Sequence, residues 1–351
     1  MVVPPFYGLP PPGYGGLEQV CAALIDALAA RGNEVTLFGA GNQTRTRARL
    51  VSTGDLQHQR LGQTLPELAH LSRVDHLLRE GSYDVVHDHT TAGPILAGRR
   101  PLPTVVTVHG KPVGDLGEIL GAVNGAAGLV AISEAQRRLN PGLPWTATIH
   151  HGLPLDELPA RPKKGDGPVL WLARFTPDKG PDLAIQACRA AGLPLVLAGK
   201  CNERNEQRYL TEAVEPMLGP DVTVEVNPVR ERTMELVGSA RCLILPIRWE
   251  EPFGMVMLEA MASGTPVVAL NRGAAPELVL SGETGIVCDE PAELPDALRE
   301  VSTIDPEACV ERVRRSFSAD VMARRYEDVY RLWIASQPQP AARELTPSGA
   351  W

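Results

Sequence analysis

Short apolar runs recur along this chain, each ended by Gly, Pro, Asn or a charged residue and followed by a segment whose apolar positions are spaced three and four apart. The runs have the character of strands buried on both faces, and the segments between them that of amphipathic helices. Their alternation predicts a parallel α/β architecture. Strands are expected at 2–3, 35–38, 49–52, 84–89, 104–108, 128–132 and 145–150, and after a break at 169–173, 195–198, 222–226, 242–245, 266–270 and 285–288. Helices are expected at 17–31, 65–79, 93–98, 116–124, 181–191, 206–218, 230–240, 254–262, 273–280, 291–302, 305–316 and 319–335. The break, LPLDELPARPKKGDGP, is rich in Pro and charge without periodicity and reads as a linker at 154–167. The pattern therefore divides the chain into a domain at 1–155, a second at 166–318, a helix at 319–336 whose aromatic stripe packs back toward the first domain, and a disordered tail at 337–351. The initial strand is short against the usual five or six residues.

One stretch departs from simple alternation. In LPIRWEEPFGMVMLEAMASGTPVVAL, positions 245–270, the central helix is apolar on almost every side, which predicts burial, and Glu259 is its one polar residue. A carboxylate is almost never buried without a partner. Glu251 lies in the turn just before this helix, where the free N–H groups of the first turn also point. Both carboxylates thus gather at the C-terminal end of a parallel strand, the edge at which open α/β sheets bind ligands. Phosphate oxygens on the N–H groups and hydroxyls on the carboxylates would suit a polyol-plus-phosphate ligand. The plainer alternative is a helix cap at Glu251 and a salt bridge at Glu259.

The length of 351 residues suits about two domains, and an apolar fraction of 44% is enough for two cores. A net charge of −8 without long runs of one sign disfavours a nucleic-acid partner. The six cysteines are scattered through apolar segments and read as free core thiols rather than zinc ligands or disulfides. No apolar stretch reaches transmembrane length and the start lacks a secretory n-region, so a cytoplasmic protein is expected. Arg312, Arg314 and Arg315 form a basic cluster that is either a solvated face or a contact with a membrane surface.

Three further segments carry candidate chemistry. Arg174 and Lys179 flank the turn after the strand at 169–173, a fork and a point charge that together neutralise a diphosphate. Gly15 and Gly16 stand immediately before a helix, where a phosphate can approach the backbone. His87, His89 and His109 sit at strand ends. Three such imidazoles could ligate a metal, but no acidic ligand completes the set; His89 reads as a structural hydrogen-bonder and His109 as a cleft residue. No G-x-G-x-x-G follows the first strand, which disfavours a dinucleotide oxidoreductase.

Taken together, the Gly-Gly entry loop, LARFTPDKG and EEPFGMVMLEAMASGTPVVA resemble the retaining nucleotide-sugar glycosyltransferases of family 4, across nearly the whole chain. The resemblance implies the GT-B fold, two Rossmann-like parallel-sheet domains facing a central cleft, and transfer of a sugar from a UDP- or GDP-sugar to an acceptor hydroxyl with retention and without a metal or other cofactor. It gives Arg174 and Lys179 the donor diphosphate, Glu251 the sugar hydroxyls near the anomeric centre, and Glu259 the ribose hydroxyls. Phe253, Gly254, Met255 and Val256 reach sugar and phosphate, Gly15 and Gly16 close over the phosphates, and His109 faces the sugar. Residues near Val229 and Arg230 line the base pocket on this reading. His151 stands where an Asn-Gly is frequent in the family. The rival expectations are a non-catalytic nucleotide-sugar binder and a sugar-nucleotide epimerase; the acceptor, whether saccharide, lipid-linked or small product, is not encoded in a readable signal.

Overall fold

A computed structural model of the chain describes residues 1–11, 15–155 and 165–336. Most of the expected linker and all of the expected tail lie outside the described residues, as does the middle of the Pro/Gly-rich loop after Val3.

The first half contains α1 (Gly16–Ala30), β1 (Thr36–Gly39), β2 (Arg49–Ser52), α2 (Thr64–Glu80), β3 (Val86–Asp88), α3 (Pro94–Ala97), β4 (Thr104–Val108), α4 (Gly114–Ala122), β5 (Gly128–Ala131), α5 (Glu134–Leu139) and β6 (Trp145–Thr148). Its strands are parallel, in the order β2-β1 and β3-β4-β5-β6. Val2 joins the two groups through single parallel bridges to Phe38 and Asp88. The expected first strand is therefore reduced to one bridging residue, although Val2 and Val3 are fully buried. With Val2 in place, the order of the sheet reverses between it and β3.

The second half contains β7 (Val169–Leu172), α6 (Pro181–Ala191), β8 (Leu195–Gly199), α7 (Arg204–Tyr209), β9 (Val222–Val226), α8 (Arg230–Ser239), β10 (Leu243–Leu245), α9 (Met255–Ala262), β11 (Val267–Leu270), α10 (Ala275–Leu278), β12 (Gly285–Cys288), α11 (Leu294–Glu300) and α12 (Pro306–Ser316). Its strands order as β12-β11-β10-β7-β8-β9, all parallel. Read from the other edge this is the doubly wound 3-2-1-4-5-6 order, whose switch point lies between β7 and β10. One continuous apolar core, with Trp171 and Phe175 fully buried, fills this half.

Three of the expected helices need correction. The helix expected at 206–218 begins as α7 but widens into a π-type turn at Leu210–Val214 and tightens into a 3₁₀ turn at Glu215–Met217. Pro216 has no N–H to give and its ring crowds the preceding turn, so α-helical bonding cannot run through it. The helices expected at 273–280 and 291–302 shrink to α10 and α11, the latter flanked by 3₁₀ turns. In the basic cluster Arg314 and Arg315 form the solvated face that is one of its two expected readings, 43% and 77% exposed. Arg312 turns inward to the carbonyls of Glu277 and Leu278, whereas Arg314 and Arg315 both pair with Glu311.

The chain crosses between the halves twice, side by side: Leu153 donates to Phe317 O, and Ala319 donates to Leu153 O. After the second crossing α13 (Ala319–Ser336) lies on the first half, burying Met322, Tyr326, Val329 and Tyr330 against Val20, Leu24 and Leu28 of α1. Each such buried side chain contributes about 1.5–3 kcal/mol relative to exposure. Arg31, at the end of α1, forks onto Glu327 at 3.0 and 3.1 Å and fixes the axial register of the two helices. No helix among the described residues is long and apolar enough to cross a membrane.

Candidate active site

The C-terminal strand ends of both halves face one cleft of about 330 Å³. Gly16, His109, Gly110 and His151 line it from the first half; Arg174, Lys179, Trp249, Glu251, Phe253 and the first turn of α9 line it from the second. It lies over the switch point between β7 and β10, because Arg174 and Lys179 follow β7, and the segment carrying Trp249 and Glu251 follows β10.

The charged wall is built around the start of α9. Gly254, the N-cap, has φ +93°, a left-handed conformation in which a Cβ would come within 2.5 Å of Met257 Cε. This kink sets the N–H groups of Met255 and Val256, which precede the first bonded turn of α9, at the cleft that both residues line, whereas Met257 N donates back to Gly254 O at 3.0 Å. Behind it Gly273, at φ +56°, lets the next loop press on the backbone of Glu251: a Cβ there would sit 2.3 Å from Glu251 N. Ala274 N donates to Glu251 O at 3.0 Å, which fixes the height of the Glu251 loop.

Glu251 and Lys179 form an ion pair across this wall, and Lys179 Nζ also lies 4.9 Å from the centre of the Trp249 ring. Lys111 Nζ, reaching over from the first half, is 4.2 Å from the centre of the same ring. Trp249 Nε1 is buried without a hydrogen-bond partner among the described residues. The Arg174 side chain is 53% exposed, and its nearest acid, Glu206, is at 3.8 Å. Glu206 is already committed to the N–H groups of Asn202 and Glu203, so Arg174 is free to swing to an incoming anion.

The opposite wall is uncharged. His89 Nδ1 and His109 Nε2 are 2.9 Å apart, and His109 stacks on His151 with ring centres 5.3 Å apart. His151 in turn meets Phe253 edge-on at 4.8 Å, closing the cleft across the two halves. Burial lowers the His109 pKa to about 4 and holds His89 and His151 well below the ordinary histidine value, so all three are neutral near pH 7. His87 is not part of the cleft. Its nitrogens are taken by Tyr330 and Thr107 hydroxyls, each at 2.7 Å, and its ring packs at a 41° tilt against His89 with centres 4.0 Å apart.

Several expected site residues are displaced from the positions anticipated for them. Glu259 is half-buried rather than buried; it sits one turn below Met255 on the same face of α9 and does not line the cleft itself. A second pocket of about 250 Å³ adjoins the cleft at Arg174, between the ends of β8 and β9. Asn227, Pro228 and Thr233 line it in place of Val229 and Arg230; the Val229 side chain points outward and is 66% exposed. Gly199, Lys200 and Asn202, to which the sequence assigns no role, form its floor. Gly15 is the N-cap of α1, and its backbone leads directly into Gly16 at the cleft.

Sequence reasoning missed Trp249, Lys111 and Glu277. Glu277 belongs to α10 of the second half, yet accepts from the N–H groups of Glu134 and Ala135 at the start of α5, at 2.8 and 2.6 Å, and from His150 Nε2 at 2.9 Å. Burial alone would raise the pKa of this carboxyl, but these three donors hold it below the usual carboxylate value. It ties the two halves together beside the cleft. The signal for such a residue lies in tertiary contacts, not in local pattern.

Two doubly wound sheets whose strand ends meet over a cleft of cations, carboxylate and helix N-terminus have the architecture of the GT-B fold. Residues 14–157 match the family model described as Glycosyltransferase Family 4, and residues 158–315 match the model described as Glycosyl transferases group 1. The chain belongs to this family. A glycogen synthase of Mycobacterium tuberculosis is 30% identical over 264 residues, a match spanning 66% of this chain and 63% of the relative. The chain thus matches less than two thirds of that protein's length. A D-inositol 3-phosphate glycosyltransferase of Acidothermus cellulolyticus is 28% identical over 366 residues, 86% of this chain and 80% of the relative. Among solved structures, AviGT4, a glycosyltransferase involved in avilamycin A biosynthesis, superposes with a TM-score of 0.72 at 24% identity, covering 96% of this chain and 97% of that one. The Anabaena protein HepE in complex with UDP and glucose gives 0.72 at 18% identity, covering 94% and 99%.

Proposed function

We propose that the chain transfers a glycosyl group from a UDP- or GDP-sugar to an acceptor hydroxyl, with retention of anomeric configuration and with protein cations in place of a metal. The observation that carries this reading is the Lys179–Glu251 pair set beside the first turn of α9 at the sheet's switch point. An incoming diphosphate competes for Lys179 and is joined by Arg174 and the α9 N–H groups; Glu251, released from its ion pair, is then left facing the sugar hydroxyls. Glu259 takes the ribose, and the adjoining pocket at Asn227, Pro228 and Thr233 takes the base. Gly15 and Gly16 close over the phosphates. The backbone of Phe253, Gly254, Met255 and Val256 reaches phosphate and sugar, with His109 opposite. The complexes of HepE with UDP, glucose and UDP-glucose support a nucleotide sugar as donor.

The chemistry follows from this placement. The bond between the anomeric carbon and the β-phosphate oxygen breaks, and the departing nucleoside diphosphate gains charge where Arg174, Lys179 and the helix amides are already oriented. The acceptor hydroxyl adds to the same face of the sugar while its proton passes to the leaving phosphate, so the configuration is kept. Glu251 orients the sugar. With Glu259 on ribose, no second carboxylate stands in the place that a glycosidase pair requires.

The test is incubation with a panel of nucleotide sugars without acceptor. Slow release of UDP or GDP, abolished by Glu251→Ala, is the expected result. Tight binding without release, with or without acceptors, would make the chain a binding protein, and conversion of the donor sugar without release of nucleotide would make it an epimerase.

A further inference from the structure

His89 and His109 follow adjacent parallel strands, β3 and β4, whose register sets Asp88 opposite Val106. The nitrogens that meet are Nδ1 of His89 and Nε2 of His109. Both rings are neutral, so they share one hydrogen at this contact and the tautomer of either ring dictates that of the other.

The direction is decided at the far side of His89. Its Nε2 is buried and has no partner among the described residues. A hydrogen there would be a buried donor without an acceptor, the rarer and costlier arrangement; a bare lone pair is more easily tolerated. His89 therefore carries its hydrogen on Nδ1 and donates it to His109 Nε2. The hydrogen of His109 is then on Nδ1, the nitrogen left for the cleft that His109 lines.

The rings have little freedom to reorient. His151 stacks on one side of His109. His87 packs at a tilt against His89 and is itself pinned by Tyr330 of α13 and by Thr107, which also bonds Tyr326 at 2.7 Å. The arrangement thus runs from the returning helix α13, through two histidines, to the cleft.

We propose that His89 is a positioning residue that locks His109 as an Nδ1–H donor facing an oxygen of the bound sugar. A histidine so locked has its other nitrogen occupied and cannot take the acceptor's proton, so His109 orients and does not act as a base. The role of the sugar rests on the glycosyl-transfer reading above; the tautomer does not.

The test uses the full chain labelled with ¹⁵N-histidine, in which long-range ¹H–¹⁵N correlation separates protonated from bare ring nitrogens. At pH 7 His109 and His89 are both expected as Nδ1–H tautomers. His89→Leu, which removes the donor, is expected to release His109 from that tautomer and to slow nucleotide release about tenfold, mainly in kcat rather than KM. His89→Asn, whose amide nitrogen lies near the place of Nδ1, should restore both. An Nε2–H signal from His109 in the unsubstituted chain would overturn the proposal, as would a His89→Leu variant with unchanged tautomer and rate. Should His89→Leu fail to fold, the unsubstituted spectrum and the Asn variant still decide. If the spectrum is as expected but no nucleotide sugar turns over, the glycosyl-transfer reading fails and the tautomer assignment stands.

Discussion

The two walls of the cleft solve opposite electrostatic problems. The wall from the second half is charged and paired with itself: Lys179 closely with Glu251, their side chains 12% and 16% exposed, and the 53% exposed Arg174 loosely with Glu206. The wall from the first half is buried and neutral, made of imidazoles that burial keeps from protonating. A diphosphate needs cations that can leave their partners, whereas a sugar ring needs donors that stay where they are. Cations paired only within their own wall suit the first requirement, and neutral rings packed on one another suit the second.

This contrast can be broken from either side. The largest effect is expected behind the neutral wall, where Arg100 is buried between Asp88 and Asp75, with nitrogens at 2.7 and 2.9 Å from their carboxylates. Arg100→Met leaves both acids without their cation and should cost about 3–5 kcal/mol of stability, read from the shift of a denaturant midpoint. On the charged wall, Lys179→Met should fold normally yet lower kcat for nucleotide release by about 10²–10³, the loss seen when one oriented stabiliser of a developing anion is removed.

Acid should distinguish the walls without any substitution. The folded-state pKa values of His70 and His109 are lowered to about 4, and those of His87, His89 and His151 lie well below 6.5. The unfolded chain therefore binds more protons than the folded one below about pH 6.5, and stability is lost as pH falls from there toward 4. A melting-temperature series across that window should fall monotonically, and a flat series would mean that the histidines are not held neutral. The smallest effect is expected at Glu277, which joins the walls. Glu277→Gln keeps one acceptor oxygen but loses the charge shared by α5 and His150, about 1–2 kcal/mol. A several-fold higher donor KM and a larger radius of gyration in solution scattering would report the loosened contact.

How much of each wall could be read from the sequence follows from how it is assembled. Glu251, Gly254 and Glu259 lie within one turn–helix segment, and Arg174 and Lys179 within one loop, so hydropathy and spacing were enough to place them at a sheet edge. Glu259 is half-buried and not buried, because an apolar helix pattern does not say where its single open face ends. The neutral wall draws on residues 89, 109 and 151, which meet only through the register of parallel strands and the crossing at Leu153. Their pairing could not be read from local pattern, although each stood visibly at a strand end. Val229 and Arg230 were set slightly beyond the pocket because the turn at Asn227, with φ +55°, brings Pro228 inward and sends Val229 out.

The central claim is that protein cations, not a metal, receive the diphosphate. Isothermal titration of UDP and GDP in EDTA, against the unsubstituted chain and Lys179→Met, tests it most directly. The account predicts binding of at least one of the two nucleotides in EDTA, weakened at least tenfold by the substitution, with the corresponding nucleoside bound far more weakly than its diphosphate. Binding that appears only on addition of Mn²⁺, or that is indifferent to loss of Lys179, would contradict it.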